Sequence, residues 1–150
     1  MMGSVRKLAA ALAAFALFAG ASASAQVPDP FAHELAARLT QAETGVKDDG
    51  YMLVAGPFAG ALPSRTARQI IINLRAGQTY RFVGVCDGRC SDFDLRLLDP
   101  SGDVVAEDSA DDDTPTLRVR AAVTGPHRVE VAMYNCAADQ CWYAFNVYSR

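Results

Sequence analysis

Hydrophobic and polar residues along this chain change period once, close to Gly50. Before that point, "PDPFAHELAARLTQAETG" repeats apolar residues at helical spacing, with Phe31, Leu35, Leu39 and Ala42 on one stripe. Asp29 is placed to cap this helix, Pro30 suits its first turn and Gly45 can end it. A helix with one apolar stripe has to lie on something.

After "KDDG" the pattern alternates to the C-terminus, which predicts strands at residues 51–58, 68–74, 79–86, 93–99, 103–108, 116–122, 127–134 and 141–149. Turn signals stand between them: "RAGQ", "DPSG", "DDDTP" and "TGP". About eight short strands with no helix between them predict an all-β fold, an antiparallel β-sandwich with one N-terminal amphipathic helix. The positions expected to point inward are Ile70, Ile72, Leu74, Tyr80, Phe82, Phe93, Leu95, Leu97, Leu117, Val119, Val129, Val131, Met133, Phe145 and Val147. In the last strand, Tyr143, Phe145 and Val147 share the face assigned to the core, and Trp142, Ala144, Asn146 and Tyr148 share the other. Trp142 and Tyr148 then either lie beneath the helix, which is the expected arrangement, or join Tyr51 and Tyr134 in an aromatic face that binds a polymer.

Composition narrows the setting. Met1 to Ala25 reads as a secretory signal peptide: Arg6 and Lys7, then "LAAALAAFALFAG", then "ASA" ahead of Gln26. Residues 26–50 form the helix and a linker, residues 51–150 the sandwich, and no other segment has the length and hydropathy to cross a bilayer. After the cut, 12 basic residues face 17 acidic ones. Ten of the acids fall between Cys86 and Asp113, against Arg89 and Arg96 only, a field that repels nucleic acid and attracts cations. All four cysteines lie in the exported part, and an even count there is read as disulfides. Of the three connectivities, Cys86 with Cys90 and Cys136 with Cys141 is favoured, because each pair brackets a turn.

The order "LRAGQTYRF", "SDFDLRLLDPSGDVVAED", "GPHRVEV", "YAFNVYS" resembles the bacterial pre-peptidase C-terminal domain family. The matching positions are Gly77 and Tyr80; Asp92, Asp94, Leu95, Asp99 and Gly102; and Gly125 through Val129, with His127 where an aromatic is usual. The resemblance spans roughly residues 68 to 148 and implies a jelly-roll sandwich. It also implies a non-catalytic module resembling carbohydrate- or collagen-binding domains, some of them calcium-dependent. This chain carries no peptidase and adds four cysteines, departures that bear on function more than on fold.

The run "CDGRCSDFDLRLLD" admits three chemistries. A redox dithiol needs a lowered thiol pKa, which Asp87, Asp92 and Asp94 oppose, and neither cysteine pair has zinc-knuckle spacing. Calcium takes six to eight oxygens. If "DPSG" closes a three-residue hairpin loop, partner numbers sum to about 202, so that Asp99 faces Asp103, Arg96 faces Ala106 and Asp94 faces Asp108. Facing carboxylates call for a positive charge. Asp92, Asp94 and Asp108, with Asp111, Asp112 and Asp113 in the returning loop, are therefore the candidate calcium ligands; alternatively Arg96 answers Asp94 and the other acids are solvated. His33 and His127 are far apart, with neither a nucleophile elbow nor a Gly-rich phosphate loop near them. The resulting expectation is an exported, non-catalytic module that binds an extracellular polymer or another exported protein. Its rival is an enzyme-associated factor, such as a peptidase inhibitor or accessory domain acting in trans.

Overall fold

The computed structural model describes residues 26–150; the signal peptide expected at Met1–Ala25 lies outside them. Two helices, α1 (Asp29–Ala42) and α2 (Thr44–Asp48), precede eight strands. These are β1 (Met52–Leu62), β2 (Thr66–Leu74), β3 (Thr79–Cys86), β4 (Cys90–Leu98), β5 (Val104–Asp108), β6 (Thr116–Arg120), β7 (Gly125–Cys136) and β8 (Cys141–Ser149). They form two antiparallel sheets of order β1-β8-β3-β6 and β2-β7-β4-β5, the strand order of a jelly roll. Among the described residues no helix is long and apolar enough to cross a membrane.

Every inward position read from the alternation is buried in the core between the sheets or packed against it. Phe93 stacks on Tyr143 with ring centroids 5.6 Å apart, and Phe58 on Phe145 at 4.9 Å. In β4 and β7 the alternation has a simple cause: one face meets the core and the other meets water. In β8 eight consecutive residues are buried, because α1 and α2 cover its second face. Leu35, Leu39 and Val46 pack onto Val83, Val85, Trp142, Ala144 and Tyr148, and each buried leucine contributes about 1.5–3 kcal/mol.

The helix ends differ from the sequence reading. The N-cap is Pro28, whose carbonyl accepts from the Phe31 and Ala32 amides, so Asp29 lies inside the first turn and makes no side-chain cap. Gly45 does not stop the helix either, since α1 pauses at Glu43 and the chain resumes as α2. The stop is Gly50, at φ +80°, where the Tyr51 amide donates to the Val46 carbonyl and the Gly50 amide to the Lys47 carbonyl. This pair of bonds satisfies the carbonyls of the last turn and needs a left-handed residue, which glycine supplies without strain.

The hairpin register also differs. Asp99 and Asp103 do close the turn, with the Asp99 amide donating to the Asp103 carbonyl, and Leu98 pairs with Val104. Val105 is then an extra residue, so Leu97 pairs with Ala106, Arg96 with Glu107 and Leu95 with Asp108. A one-residue bulge turns every later side chain to the opposite face. Glu107 is thereby set opposite Arg96, and Asp108 opposite Leu95 rather than Asp94.

Candidate functional site

The cysteine-bounded loop serves architecture. Cys86–Cys90 and Cys136–Cys141 are disulfides, and Cys90 lies opposite Cys136 in the β4–β7 ladder, so both bridges sit at one end of the sandwich. Within the first loop, Asp87 is 0 % exposed. Its carboxylate accepts two bonds from the Arg89 guanidinium, at 3.0 and 2.8 Å, and others from the Arg89 and Trp142 amides, at 3.0 and 2.7 Å. Burial alone raises its pKa, but these donors and the Arg89 charge outweigh it and hold the carboxyl below its usual range. Arg89 lies 4.3 Å over the Phe31 ring of α1, the Gly88 amide donates to Glu34, and Arg38 pairs with Asp113 at 2.8 Å. The loop therefore fastens α1 to the sandwich.

Behind the helix, Tyr148 donates to Glu43, which also pairs with Lys47, and the Asn146 amide donates to the Tyr148 hydroxyl at 3.1 Å. Burial first, then the Glu43 carboxylate, pushes the Tyr148 phenol up to about 12. Trp142 and Tyr148, the two residues considered for an aromatic binding face, are thus 8 % and 0 % exposed beneath α1 and do not form one. Tyr51 is buried as well, leaving Tyr134 exposed on the other sheet.

The six candidate calcium ligands are dispersed. Asp108 accepts from the Thr116 and Ala110 amides, Asp112 from the Thr114 amide, and Asp113 from Arg38 and the Thr114 hydroxyl. Asp111 and Asp112 stay near enough to Asp92 to help burial raise its pKa. Among the described residues, no three His, Cys, Asp or Glu side chains are arranged to hold a metal ion. The bulge at Val105 sets Asp108 opposite Leu95 instead of Asp94, although it stays near enough to help raise the Asp94 pKa.

Asp94 remains, on the uncovered outer face of β2-β7-β4-β5. The strand registers place one charged row across that face: Gln69, Glu130, Arg96 and Glu107, one from each strand. Arg96 donates to Glu107 at 2.9 Å and Glu130 at 3.3 Å, and Gln69 to Glu130 at 3.0 Å. Arg96 is consequently turned to these two glutamates and makes no bond to Asp94. One step along the strands the row reads Ala67, Ala132, Asp94, and beyond it stand Arg65 and Tyr134. Two alanines between taller neighbours leave a trough of about 510 Å³ with Asp94 in its lining. Asp94 Oδ1 is sealed from solvent and has no hydrogen-bond partner among the described residues. Burial first, then Asp92, Asp108 and Glu107, pushes this carboxyl up to about 6 against the pull of Arg96.

Arg65, Glu130 and the alanine pair were not singled out by the sequence. They come from β1–β2 and β7, and only the strand registers bring them beside Asp94. The histidines are elsewhere: His33 is exposed on α1, and His127 is buried in the core with Nδ1 3.0 Å from the Gly125 carbonyl. No family model and no curated protein matches the chain. Among solved structures it is similar to PliG of Aeromonas hydrophila, a periplasmic lysozyme inhibitor of g-type lysozyme, with 14% identity, TM-score 0.47, and coverage of 63% of this chain and 85% of that one.

Proposed function

We propose that this chain is an exported, non-catalytic binding module that docks another exported protein on the outer face of β2-β7-β4-β5. The observation that carries the reading is the trough on that face: it is concave, uncovered, and lined by a carboxylate, Asp94, to which no basic side chain is bonded. Two disulfides favour an oxidising compartment, in line with the leader read from the sequence. A protein partner is favoured over a polymer because, of the four aromatic residues from which polymer binding was argued, Trp142, Tyr148 and Tyr51 are covered by α1 and α2 and Tyr134 alone is exposed. The acidic trough, by contrast, complements the charged side chains that proteins carry.

The test is a photo-crosslinking amino acid placed singly at Tyr134, at Val123 in a loop, and at Val54 in β1, in the host's exported fraction. A discrete adduct from Tyr134 alone, whose protein partner then binds the purified chain and loses affinity on Tyr134→Ala, supports the reading. Equal adducts from all three positions, or one from Val54 alone, overturns it. Where the captured partner is an enzyme, its activity with and without this chain separates an inhibitor from a passive adaptor.

A further inference from the structure

Three uncovered features compete on this molecule. A cleft of about 460 Å³ between the edge strands β1 and β2 has a mixed lining, with Val54, Phe58 and Ile71 beside Asn73, Arg75 and Gln78, and no buried polar side-chain atom in it lacks a partner. In the acidic loop after β5, Asp108, Asp112 and Asp113 spend their carboxylates on the loop's own amides, on the Thr114 hydroxyl and on Arg38. The trough at Asp94 differs from both, because its shape and its charge point to the same ligand.

We infer that the trough is an anchor site for one basic side chain, arginine or lysine, of the partner protein. The cationic head pairs with Asp94, the aliphatic stem lies across Ala67 and Ala132, and the Tyr134 ring flanks it. This deepens the docking face proposed above and rests on it. Three carboxylates line the trough (Asp94, Glu107 and Glu130) against two guanidiniums, Arg65 and Arg96. Arg96 is already bound to both glutamates, and Arg65 is exposed and makes no ion pair among the described residues. The lining therefore carries a net charge of −1, to which Asp92 and Asp108 add from close by. Ala67 and Ala132 provide a floor without polar side-chain atoms, which suits a methylene stem better than a hydrated metal ion. Tyr134, 52 % exposed, offers an aromatic face to a cation. A trough of this volume lies within the ordinary range for small-ligand pockets and has room for a full basic side chain.

The experiment is an NMR amide-shift titration of the disulfide-intact protein with N-acetyl-arginine amide, N-acetyl-lysine amide and N-acetyl-norleucine amide, with calcium chloride as a separate arm. Shifts centred on Ala67, Asp94, Ala132 and Tyr134, with a millimolar dissociation constant for a basic probe and none for norleucine, are expected. Asp94→Asn, or lowering the pH to about 4.5 so that Asp94 is protonated, should weaken that binding about tenfold. Glu107→Gln leaves Arg96 one partner and should change the affinity less than Asp94→Asn does. Norleucine binding as well as arginine, unchanged affinity in Asp94→Asn, or calcium producing the same shifts more tightly overturns the inference. Carrying Asp94→Asn into the Tyr134 crosslinking experiment separates the two levels. Loss of the adduct supports the anchor; an undiminished adduct removes the anchor and leaves the docking face standing.

Discussion

The two sheets of this sandwich share one core, yet their outer faces have opposite fates. On β1-β8-β3-β6 the outer residues are Val83, Val85, Trp142, Ala144 and Tyr148, and α1 with α2 seals them. On β2-β7-β4-β5 the outer residues are Gln69, Glu130, Arg96, Asp94 and two alanines, and nothing among the described residues covers them. Polar groups are present on both sides, but their partners differ. Beneath the helix Asp87 is held by four donor bonds, whereas on the open face Asp94 keeps one buried oxygen without a partner. A saturated buried carboxylate works as a fastener, whereas the half-buried Asp94 carboxylate lines a trough and spends no bond inside the fold.

The comparison breaks most sharply at Asp87. Asp87→Ala leaves Arg89 and the Trp142 amide without their acceptor, and urea denaturation should show a loss of about 3 kcal/mol. A variant within about 0.5 kcal/mol of the parent would mean that the loop does not fasten the helix. Next comes Leu39→Ala, which removes a buried contact of the seal and should cost about 2–4 kcal/mol. Trp142 emission should shift to the red as the helix loosens; an unchanged spectrum alongside that loss would place the damage elsewhere.

Asp94→Asn should act in the other direction. A carboxyl raised from 3.8 to about 6 favours folding while protonated, so its penalty is absent below about pH 4, grows as pH rises to about 6, and is complete above that. Removing it should stabilise the protein at neutral pH by about 2 kcal/mol after allowance for its partial exposure, and leave stability at about pH 3.5 unchanged. A variant less stable than the parent at pH 7 would refute the unanswered carboxylate. Wild-type stability alone does not report this, because Asp87 and Glu43 are shifted downward and are titrated oppositely at lower pH. The smallest effect belongs to Arg96→Ala. Its bonds to Glu107 and Glu130 are partly exposed, so the loss should stay below about 1 kcal/mol and shrink with added salt.

How far the site could be read in advance depends on the range of the forces concerned. Asp94 on an outward face followed from alternation within β4, which is local. Its expected partner Asp108 did not, because a bulge of one residue in β5 is set by how that strand meets β4, and "DVVAED" carries no mark of it. Arg65, Glu130, Ala67 and Ala132 carry no signal as a group either. They lie far from Asp94 in sequence and meet it only through the β2–β7 and β7–β4 registers.

By itself, the chain determined its periods: one helical stripe, eight alternating segments, an inward set that all reached the core, and two pairs of cysteines close enough to bridge. These follow from the geometry of a single strand or helix, so neighbours within a few residues suffice to specify them. The tertiary structure alone decided which sheet the helix covers, where Val105 bulges, and that Arg96 turns toward two glutamates and leaves Asp94 unanswered. Those outcomes depend on which surfaces meet across the fold, and contact between residues distant in sequence is settled by packing and pairing rather than by any local pattern.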